Sequence, residues 1–221
     1  MKVSIITATF NSQENICDAI ESVKAQNYHN IEHLFIDGCS SDKTLDLIKK
    51  HALPNSSIHS EKDKGIYDAL NKGLQLSTGD IVGFLHSDDI MEPDCISSVV
   101  QCFTESESAD IVYGNIDYIS KKNPFNIVRK WRSGKFNLTK LQNGWMPPHP
   151  ATYIKKNIYE KYGFFNLEFS IAADYEILLR LLYEENVSAT YLDKVLVKMR
   201  LGGESNRNIN LIAKKTAEDF I

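Results

Sequence analysis

Apolar, strand-like runs alternate with amphipathic segments over the first 104 residues, and this alternation constrains the fold more than any other feature. The first run, VSIITAT at residues 3–9, is rich in β-branched residues, as is typical of a strand buried on both faces. HLFID at 33–37, a weaker SSIHSE and IVGFL before residue 86 follow in turn. Strands that alternate with helices predict an α/β fold, a parallel sheet with helices on both faces.

The intervening segments have helical periodicity. Apolar residues from Ile16 to Val23 recur at i, i+3, i+4 and i+7, and Asn11 and Glu14 have capping-box spacing, which predicts a helix start there. SSDKTLDLIKKH and IYDALNKGLQL predict two further helices, and a fourth is expected after Pro93.

The pattern changes beyond residue 110. DIVYGNIDYI, FNIVRKW and KVLVKMRL predict strands, the first two of them antiparallel, whereas NGWMPPHPATYI reads as a loop. AADYEILLRLLYEE predicts a helix, and the chain ends in a polar helix. Without a linker between the two patterns, we expect one domain over residues 1–221, with halves at 1–104 and 105–221.

Composition narrows the functional class. The chain has 221 residues, 43% of them hydrophobic, and a net charge of −4, which argues against broad nucleic-acid binding. Its four cysteines form no CxxC pair, so a zinc site is not expected. The first apolar run is too short for a signal peptide or a membrane span, and we expect a cytoplasmic protein.

Polar residues follow three of the predicted strands: Thr7 to Asn11, Asp37 to Asp42, and His86 to Asp89. Ligands of open α/β sheets bind outside the carboxyl ends of the strands, so these groups are expected to converge on one ligand. The adjacent Asp88 and Asp89 repel each other and need an opposite charge. They either cap the next helix or bind a divalent cation together with a diphosphate.

Two common nucleotide motifs are absent. No GxGxxG follows the first strand, and GxxxxGK[ST] does not occur, which argues against dinucleotide and P-loop sites. Asp37 lies where a strand-end acid can accept hydrogen bonds from a base or ribose, although a turn and a helix cap explain part of the GCSSDKT segment after it.

Six segments in order give the chain a specific resemblance: VSIITATFN, FIDGCSSDKT, EKDKGIYDALNKGL, STGDIVGFLHSDD, PHPATYIKKNIYEKYGFF and IAADYEILLRL. In the order and approximate spacing of these segments, the chain resembles the family 2 glycosyltransferases of the GT-A fold. The resemblance implies a central, mostly parallel twisted sheet, a nucleotide-binding half at 1–104 and an acceptor-binding half at 105–221. It also implies inverting transfer from a nucleotide sugar, with SDD standing at the metal motif.

The resemblance assigns roles to the strand-end residues. Asp89 would hold a Mg²⁺ or Mn²⁺ that bridges the diphosphate, and Asp88 would bind ribose. The remaining donor-binding positions are Thr7, Ala8 and Phe10 beside the base, Asp37 at uracil or ribose, and Asp63 in the base pocket. His86 stands where many relatives have another acid, so the diphosphate is expected to complete the metal site.

The second half would supply the catalytic base. The resemblance assigns that role to Asp174, which could otherwise serve only as a helix cap, and it places His149 toward the diphosphate or acceptor. Trp145 is either a sugar platform or an aromatic that packs the loop onto the core. Arg180 is expected to be a structural ion-pair partner.

These implications define the expected function. The chain would transfer a sugar from a UDP-sugar, in preference to a GDP- or dTDP-sugar, to a hydroxyl of a glycan or lipid-linked saccharide in bacterial surface polysaccharide synthesis. One alternative is a nucleotide-sugar-binding module that has lost catalysis, because His86 and Ala173 replace frequent acids. Another is a sugar-1-phosphate nucleotidylyltransferase, although TATFNS lacks the expected Gly-rich loop.

The last helix, NRNINLIAKKTAEDFI, carries apolar residues among charges of both signs. This pattern favours a solvated helix or one that packs in a homodimer. A peripheral contact with the inner face of the cell membrane is the alternative, and it would suit a lipid-linked acceptor.

Overall fold

The computed structural model describes residues 1–106 and 108–202. The strands are β1 Val3–Thr9, β2 Ile31–Asp37, β3 Ser57–Ser60, β4 Ile81–Phe84, β5 Ile90–Met91, β6 Ile111–Ile119, β7 Ile127–Trp131, β8 Thr152–Lys155 and β9 Ala189–Arg200. The helices are α1 Ile16–Lys24, α2 Thr44–His51, α3 Ile66–Leu76, α4 Cys95–Glu105, α5 Leu138–Gln142, α6 Lys156–Tyr162 and α7 Ala173–Leu179. A π-helical turn at Arg180–Glu184 extends α7.

The strands form one sheet in the order β3-β2-β1-β4-β8-β6-β9-β5, and β7 pairs with β6 outside this path. Strands β1 to β4 are parallel, so their carboxyl ends meet at one edge as predicted. In the second half β8 runs antiparallel to β4 and β6, and β7 runs antiparallel to β6. Strand β9 lies parallel to β6.

Helices cover both faces of the sheet because successive strand residues point to opposite sides. Ile6 packs in a core with apolar residues of α3, α6 and α7, whereas Ile5 belongs to the opposite core with residues of α1 and α4. A Cβ on Gly73 of α3 would lie 2.4 Å from Ile6 Cγ2, so glycine lets this helix approach the sheet closely. The α/β architecture is therefore confirmed.

Three local predictions differ from the structure. The capping box at Asn11 and Glu14 is wrong, since α1 begins only at Ile16 and Asn11 has a φ of 48°. The segment read as a loop contains a strand, β8, because the chain after the prolines pairs between β4 and β6. The last described strand, β9, is longer than KVLVKMRL because it pairs along the length of β6.

None of the helices within the described ranges has the length and apolar character needed to cross a membrane. The predicted final helix lies outside the described residues.

Candidate functional site

Hydrogen bonds join the loops that follow β1, β2 and β4 into one edge. The Asn11 side-chain oxygen accepts from the Ser41 amide at 2.9 Å, and the Ser12 amide donates to Thr44 Oγ1 at 2.7 Å. The hydroxyls of Ser12 and Ser87 lie 2.9 Å apart, which connects the first loop to the loop after β4. This second loop, residues 85–89, carries Asp88 and Asp89 and is called the acidic loop. Asn tolerates the left-handed backbone that this first turn requires. The three polar strand ends therefore lie together, as the sequence predicts.

Asp37 is fully buried beneath this edge. Its carboxylate accepts hydrogen bonds from Thr9 Oγ1 at 3.1 Å, from the Ser40 amide at 2.9 Å and hydroxyl at 2.5 Å, and from Ser60 Oγ at 2.7 Å. A buried carboxylate with this many donors fixes the loops around it. In the structure Asp37 positions these loops, and its contact with a base or ribose stays a prediction.

Phe10 and Asp63 border the space above Gly38. A Cβ on Gly38 would lie 2.4 Å from Asp63 Oδ2 and 3.5 Å from Phe10 Cδ2, so a larger residue would push the Asp63 carboxylate aside but would only contact the Phe10 ring. Asp63 Oδ1 accepts a hydrogen bond from the Gly65 amide at 2.9 Å. The Phe10 ring is 66% exposed and offers an aromatic face to a planar base.

Thr7 and Ala8 lie within β1, whereas Phe10 follows its last residue. The Thr7 hydroxyl is buried and lies 2.9 Å from His33 Nε2, inside the sheet. Burial lowers the pKa of His33 to about 3, so the ring is neutral at physiological pH. Ala8 is partly exposed and packs against the core on the Ile6 side. The Thr7 side chain therefore lies in the interior, apart from the Phe10 surface.

The acidic pair has two different environments. Asp89 is buried, and its Oδ1 accepts a hydrogen bond from the Arg200 amide at 2.9 Å. Its Oδ2 is buried and has no hydrogen-bond partner among the described residues. Burial, and then the adjacent charge of Asp88, raise the pKa of Asp89 well above its ordinary value. Asp88 is partly exposed, so its side chain is the accessible member of the pair.

Arg200 supplies the opposite charge beside this pair, and it was not among the residues predicted from the sequence. Its guanidinium is almost fully buried and donates to the Asp88 carbonyl at 2.9 Å, to the Lys121 carbonyl at 3.1 Å and to Asp18 Oδ2 at 2.6 Å. The available signal was the single arginine of KVLVKMRL, a cation that could offset the charge of two adjacent aspartates.

Two histidines line the inner side of the acidic loop. The ring centroids of His86 and His149 lie 6.1 Å apart, and His149 stacks on Phe84 at 5.0 Å. Burial, and then His86, lower the pKa of His149 to about 3, and its Nε2 has no partner among the described residues. His149 therefore presents a neutral ring with one unsatisfied nitrogen beside the acidic loop.

Asp174 reaches this site from the second half of the chain. Its Oδ1 lies 3.1 Å from the Tyr67 hydroxyl and accepts from the Tyr175 amide at 3.0 Å, in the first turn of α7. Burial lowers the pKa of His86, while the charges of Asp88 and then Asp174 act in the opposite direction. The charges of Asp88 and Asp174, which belong to different halves of the chain, thus both act on one imidazole ring.

Arg180 is the structural ion-pair partner that the sequence predicts. It bonds to Glu176 at 2.7 Å within its own helix and donates to the Phe164 carbonyl at 2.8 Å. Trp145 packs edge-to-face with Tyr113 at 6.2 Å, and Lys140 Nζ lies 5.7 Å from the tryptophan ring centre. Trp145 is partly exposed, so the packing role and the platform role are compatible.

The donor set fits a divalent cation only in part. No group of three or more His, Cys, Asp or Glu side chains within the described ranges is arranged to hold a metal. Asp89 Oδ2, buried and without a donor, is nevertheless an atom that a hard cation would satisfy. Mg²⁺ and Mn²⁺ are commonly held by one or two carboxylates together with phosphate oxygens. The residues therefore fit a cation that arrives with a diphosphate.

Comparisons with known proteins identify the family of the chain. The model of Glycosyl transferase family 2 matches residues 4–165. The chain is 31% identical over 209 residues to the PGL/p-HBAD biosynthesis glycosyltransferase of Mycobacterium bovis (strain BCG / Pasteur 1173P2), which covers 92% of this chain and 78% of the relative.

Solved structures share the fold at low identity. S. aureus TarS 1-349 in complex with UDP-GlcNAc has a TM-score of 0.73 at 18% identity, over 92% of this chain and 59% of that one. Mannosyltransferase PcManGT from Pyrobaculum calidifontis, in complex with GDP-Man and Mn²⁺, has a TM-score of 0.71 at 16% identity, over 99% and 64%. This chain therefore spans about three fifths of both solved chains.

The predicted GT-A fold is confirmed by these structures. The family match begins within β1 and extends past the acidic loop and the His149 segment. With a relative of more than 30% identity along nearly the whole length, the chain belongs to glycosyl transferase family 2.

Proposed function

We propose that this chain is an inverting glycosyltransferase that moves a sugar from a UDP-sugar to a hydroxyl of a glycan or lipid-linked saccharide. The proposal is supported by the location of Asp174 in the first turn of α7, where it accepts a hydrogen bond from Tyr67 of α3 and where its charge acts on His86 of the acidic loop together with that of Asp88. We infer that this carboxylate of the second half faces the proposed diphosphate site of the first half. Such a pairing is what a single displacement requires.

The proposed chemistry uses few groups. Asp174 takes the proton of the acceptor hydroxyl while that oxygen forms a bond to the anomeric carbon and the bond to the diphosphate breaks. The nucleoside diphosphate leaves with the electron pair. A Mg²⁺ or Mn²⁺ held by Asp89 and the diphosphate would stabilise the charge on this leaving group. Asp88 would hold the ribose.

The base pocket of this proposal is bordered by Phe10 and Asp63, and Asp37 fixes its loops. The UDP-GlcNAc complex of TarS supports a uridine donor, whereas the GDP-Man complex of the mannosyltransferase keeps a guanosine donor as the rival. The name of the M. bovis relative supports a role in glycolipid or surface polysaccharide synthesis. We extend the proposal to an enzyme of the cytoplasm whose acceptor lies at the inner face of the cell membrane.

Product analysis tests the proposal. The protein is incubated with Mn²⁺ and UDP- and GDP-sugars, each with a panel of glycans and lipid-linked saccharides, and nucleotide release is followed. We expect release from one nucleotide class, dependent on acceptor, and a product whose anomeric configuration by NMR is opposite to that of the donor. Retention of configuration would contradict the mechanism.

A catalytically inactive binding module is the second candidate, favoured by His86 and Ala173 at positions that are acidic in many relatives. It predicts tight nucleotide-sugar binding with no turnover for any acceptor. In that case Asp174→Asn would change neither binding nor activity.

A further inference from the structure

A hairpin of the second half concentrates positive charge on one part of the chain. The basic hairpin, residues 118–132, comprises the end of β6, a turn closed by the Ser120 amide on the Asn126 carbonyl at 2.9 Å, and β7. The sequence from 118 to 154 contains no Asp or Glu, although the whole chain has 29 acidic and 25 basic residues. The basic residues of the hairpin are Lys121, Lys122, Arg129, Lys130 and Arg132.

All five of these side chains are exposed. Arg132 forms an ion pair with Asp117 at 2.7 Å, and within the described ranges it is the only one of the five that pairs with a carboxylate. Arg129 lies over the Tyr118 ring at 5.2 Å. The hairpin therefore presents several positive charges to solvent without neutralising acids from the described residues.

The same hairpin exposes apolar side chains. Phe125, near its tip, is 90% exposed, Val128 is 54% exposed and Ile127 is 41% exposed. Side chains with these exposures contribute little to the core. Ile127 and Val128 are consecutive in β7 and point to opposite faces of the strand, so Phe125 beside the turn is the apolar group most open to a partner surface.

Apolar residues surrounded by Lys and Arg are the combination that an anionic bilayer binds, because lipid headgroups attract the charges and the acyl boundary accepts the apolar groups. We propose that the basic hairpin docks this protein on an anionic lipid surface, with Phe125 entering the interface. The edge of β7 that does not pair with β6 is less suited to binding a second copy of the chain. Pairing β7 with itself would bring Arg129 and Lys130 close to like charges.

The hairpin is joined directly to the acidic loop. Arg200 donates to the Lys121 carbonyl with one guanidinium nitrogen and to the Asp88 carbonyl with another. A lipid-bound hairpin would thus hold the Asp88 edge of the site close to the membrane surface. The docking proposal does not depend on sugar transfer, since lipid binding can be measured without donor or acceptor.

Vesicle sedimentation tests the proposal on the whole chain. Vesicles of phosphatidylcholine alone are compared with vesicles of equal parts phosphatidylcholine and phosphatidylglycerol, at low and high salt. We expect sedimentation with the anionic vesicles, loss of binding at high salt, and little binding to the neutral vesicles. Equal binding to both compositions, or none to either, would overturn the proposal.

Substitutions then assign the effect to the hairpin. Lys121→Gln with Lys122→Gln should lower partitioning about 25-fold, because each Lys near an anionic surface contributes about fivefold. Lys49→Gln with Lys50→Gln on α2 removes the same exposed charge elsewhere and should change partitioning less than about twofold. An equal loss in both double variants would overturn the assignment to the hairpin.

Phe125→Ser should lower partitioning about tenfold, since it removes the apolar group proposed to enter the interface. Leu167→Ser is the matched control, because Leu167 is also exposed and lies outside the hairpin. Unchanged binding in Phe125→Ser would overturn the insertion of Phe125. A concentration-dependent dimer that Phe125→Ser abolishes, without vesicle binding by the parent protein, would assign the surface to a second copy instead.

Discussion

The main-chain amide of Arg200 donates a hydrogen bond to Asp89 Oδ1 at 2.9 Å, across 111 positions of sequence. The guanidinium of the same residue binds the carbonyl of Asp88 and the carboxylate of Asp18. The end of β9 thereby fixes the loop that carries both aspartates. The geometry of the proposed donor site depends on a residue of the acceptor half.

Replacing Arg200 tests this dependence. Arg200→Met keeps the amide that binds Asp89 but removes the bonds to Asp88, Lys121 and Asp18. We expect the free energy of unfolding to fall by about 1–3 kcal/mol. This loss is smaller than the loss on breaking a fully buried ion pair, because Asp18 is exposed to solvent. Urea denaturation measures the change. Asp18→Asn, the control, should cost less than about 1 kcal/mol, and equal losses in both variants would contradict a role for the carbonyl bonds.

Asp174→Asn tests the proposed base. A general base typically contributes about 10²- to 10⁴-fold, so turnover should fall at least about 100-fold while donor affinity stays within about twofold. Nucleotide release and calorimetric titration measure the two quantities. Glu176→Gln, on the same helix but paired with Arg180, is the control and should retain turnover. Full activity in Asp174→Asn would exclude it as the base.

Phe10→Ala tests the proposed base pocket. The ring is largely exposed, so its loss should leave the unfolding free energy nearly unchanged but weaken nucleotide binding about tenfold through lost stacking. Phe125→Ala removes an even more exposed ring from the basic hairpin and should leave nucleotide affinity unaltered. If Phe10→Ala bound nucleotide as tightly as the parent, the ring would have no contact with the base.

Glu32 gives a pH-dependent prediction about stability. Burial raises the pKa of this carboxyl, but hydrogen bonds from Lys2, Ser4 and Thr78 outweigh it and lower the pKa from 4.5 to about 2. A depressed folded-state pKa stabilises the protein above pH 4.5, and this contribution disappears as pH falls toward 2.

Glu32→Gln should therefore destabilise the fold by about 1 kcal/mol at neutral pH, after allowance for solvent screening near the exposed Lys2. The difference from the parent protein should shrink as the pH falls through the acid range. Urea denaturation at several pH values measures it. A difference that stays constant with pH would show that packing, and not charge, is responsible.

The first half of the fold could be predicted from local patterns. Runs such as VSIITAT and helices such as α3 have the period and composition that their structures require, and parallel strands place Asp37 and Asp89 at one edge. The same logic predicted the convergence of the loops after β1, β2 and β4. It did not predict the start of α1, because the Asn11 bond to Ser41 is a contact between distant loops.

The second half depends on contacts that local patterns do not contain. Strand β8 follows prolines and is set by its neighbours β4 and β6, which are distant in sequence. The Arg200 contact with Asp89 joins residues that are even farther apart in the sequence. The assignment of Asp174 and Asp88 to one site came from the family resemblance alone, since no spacing rule links residues of two halves, and it stays a prediction.

Calorimetric titration of UDP, GDP, dTDP and ADP, each with Mn²⁺ and with EDTA, shows whether the paired aspartates form a metal–diphosphate site. We expect one diphosphate, UDP, to bind with Mn²⁺ and to lose at least about tenfold in affinity with EDTA or in Asp89→Asn, since the cation would join carboxylate and diphosphate. Asp80→Asn, an acid outside the site, should bind as the parent does. Affinity for UDP that is the same with EDTA, and the same in Asp89→Asn, would contradict a metal–diphosphate site at the paired aspartates.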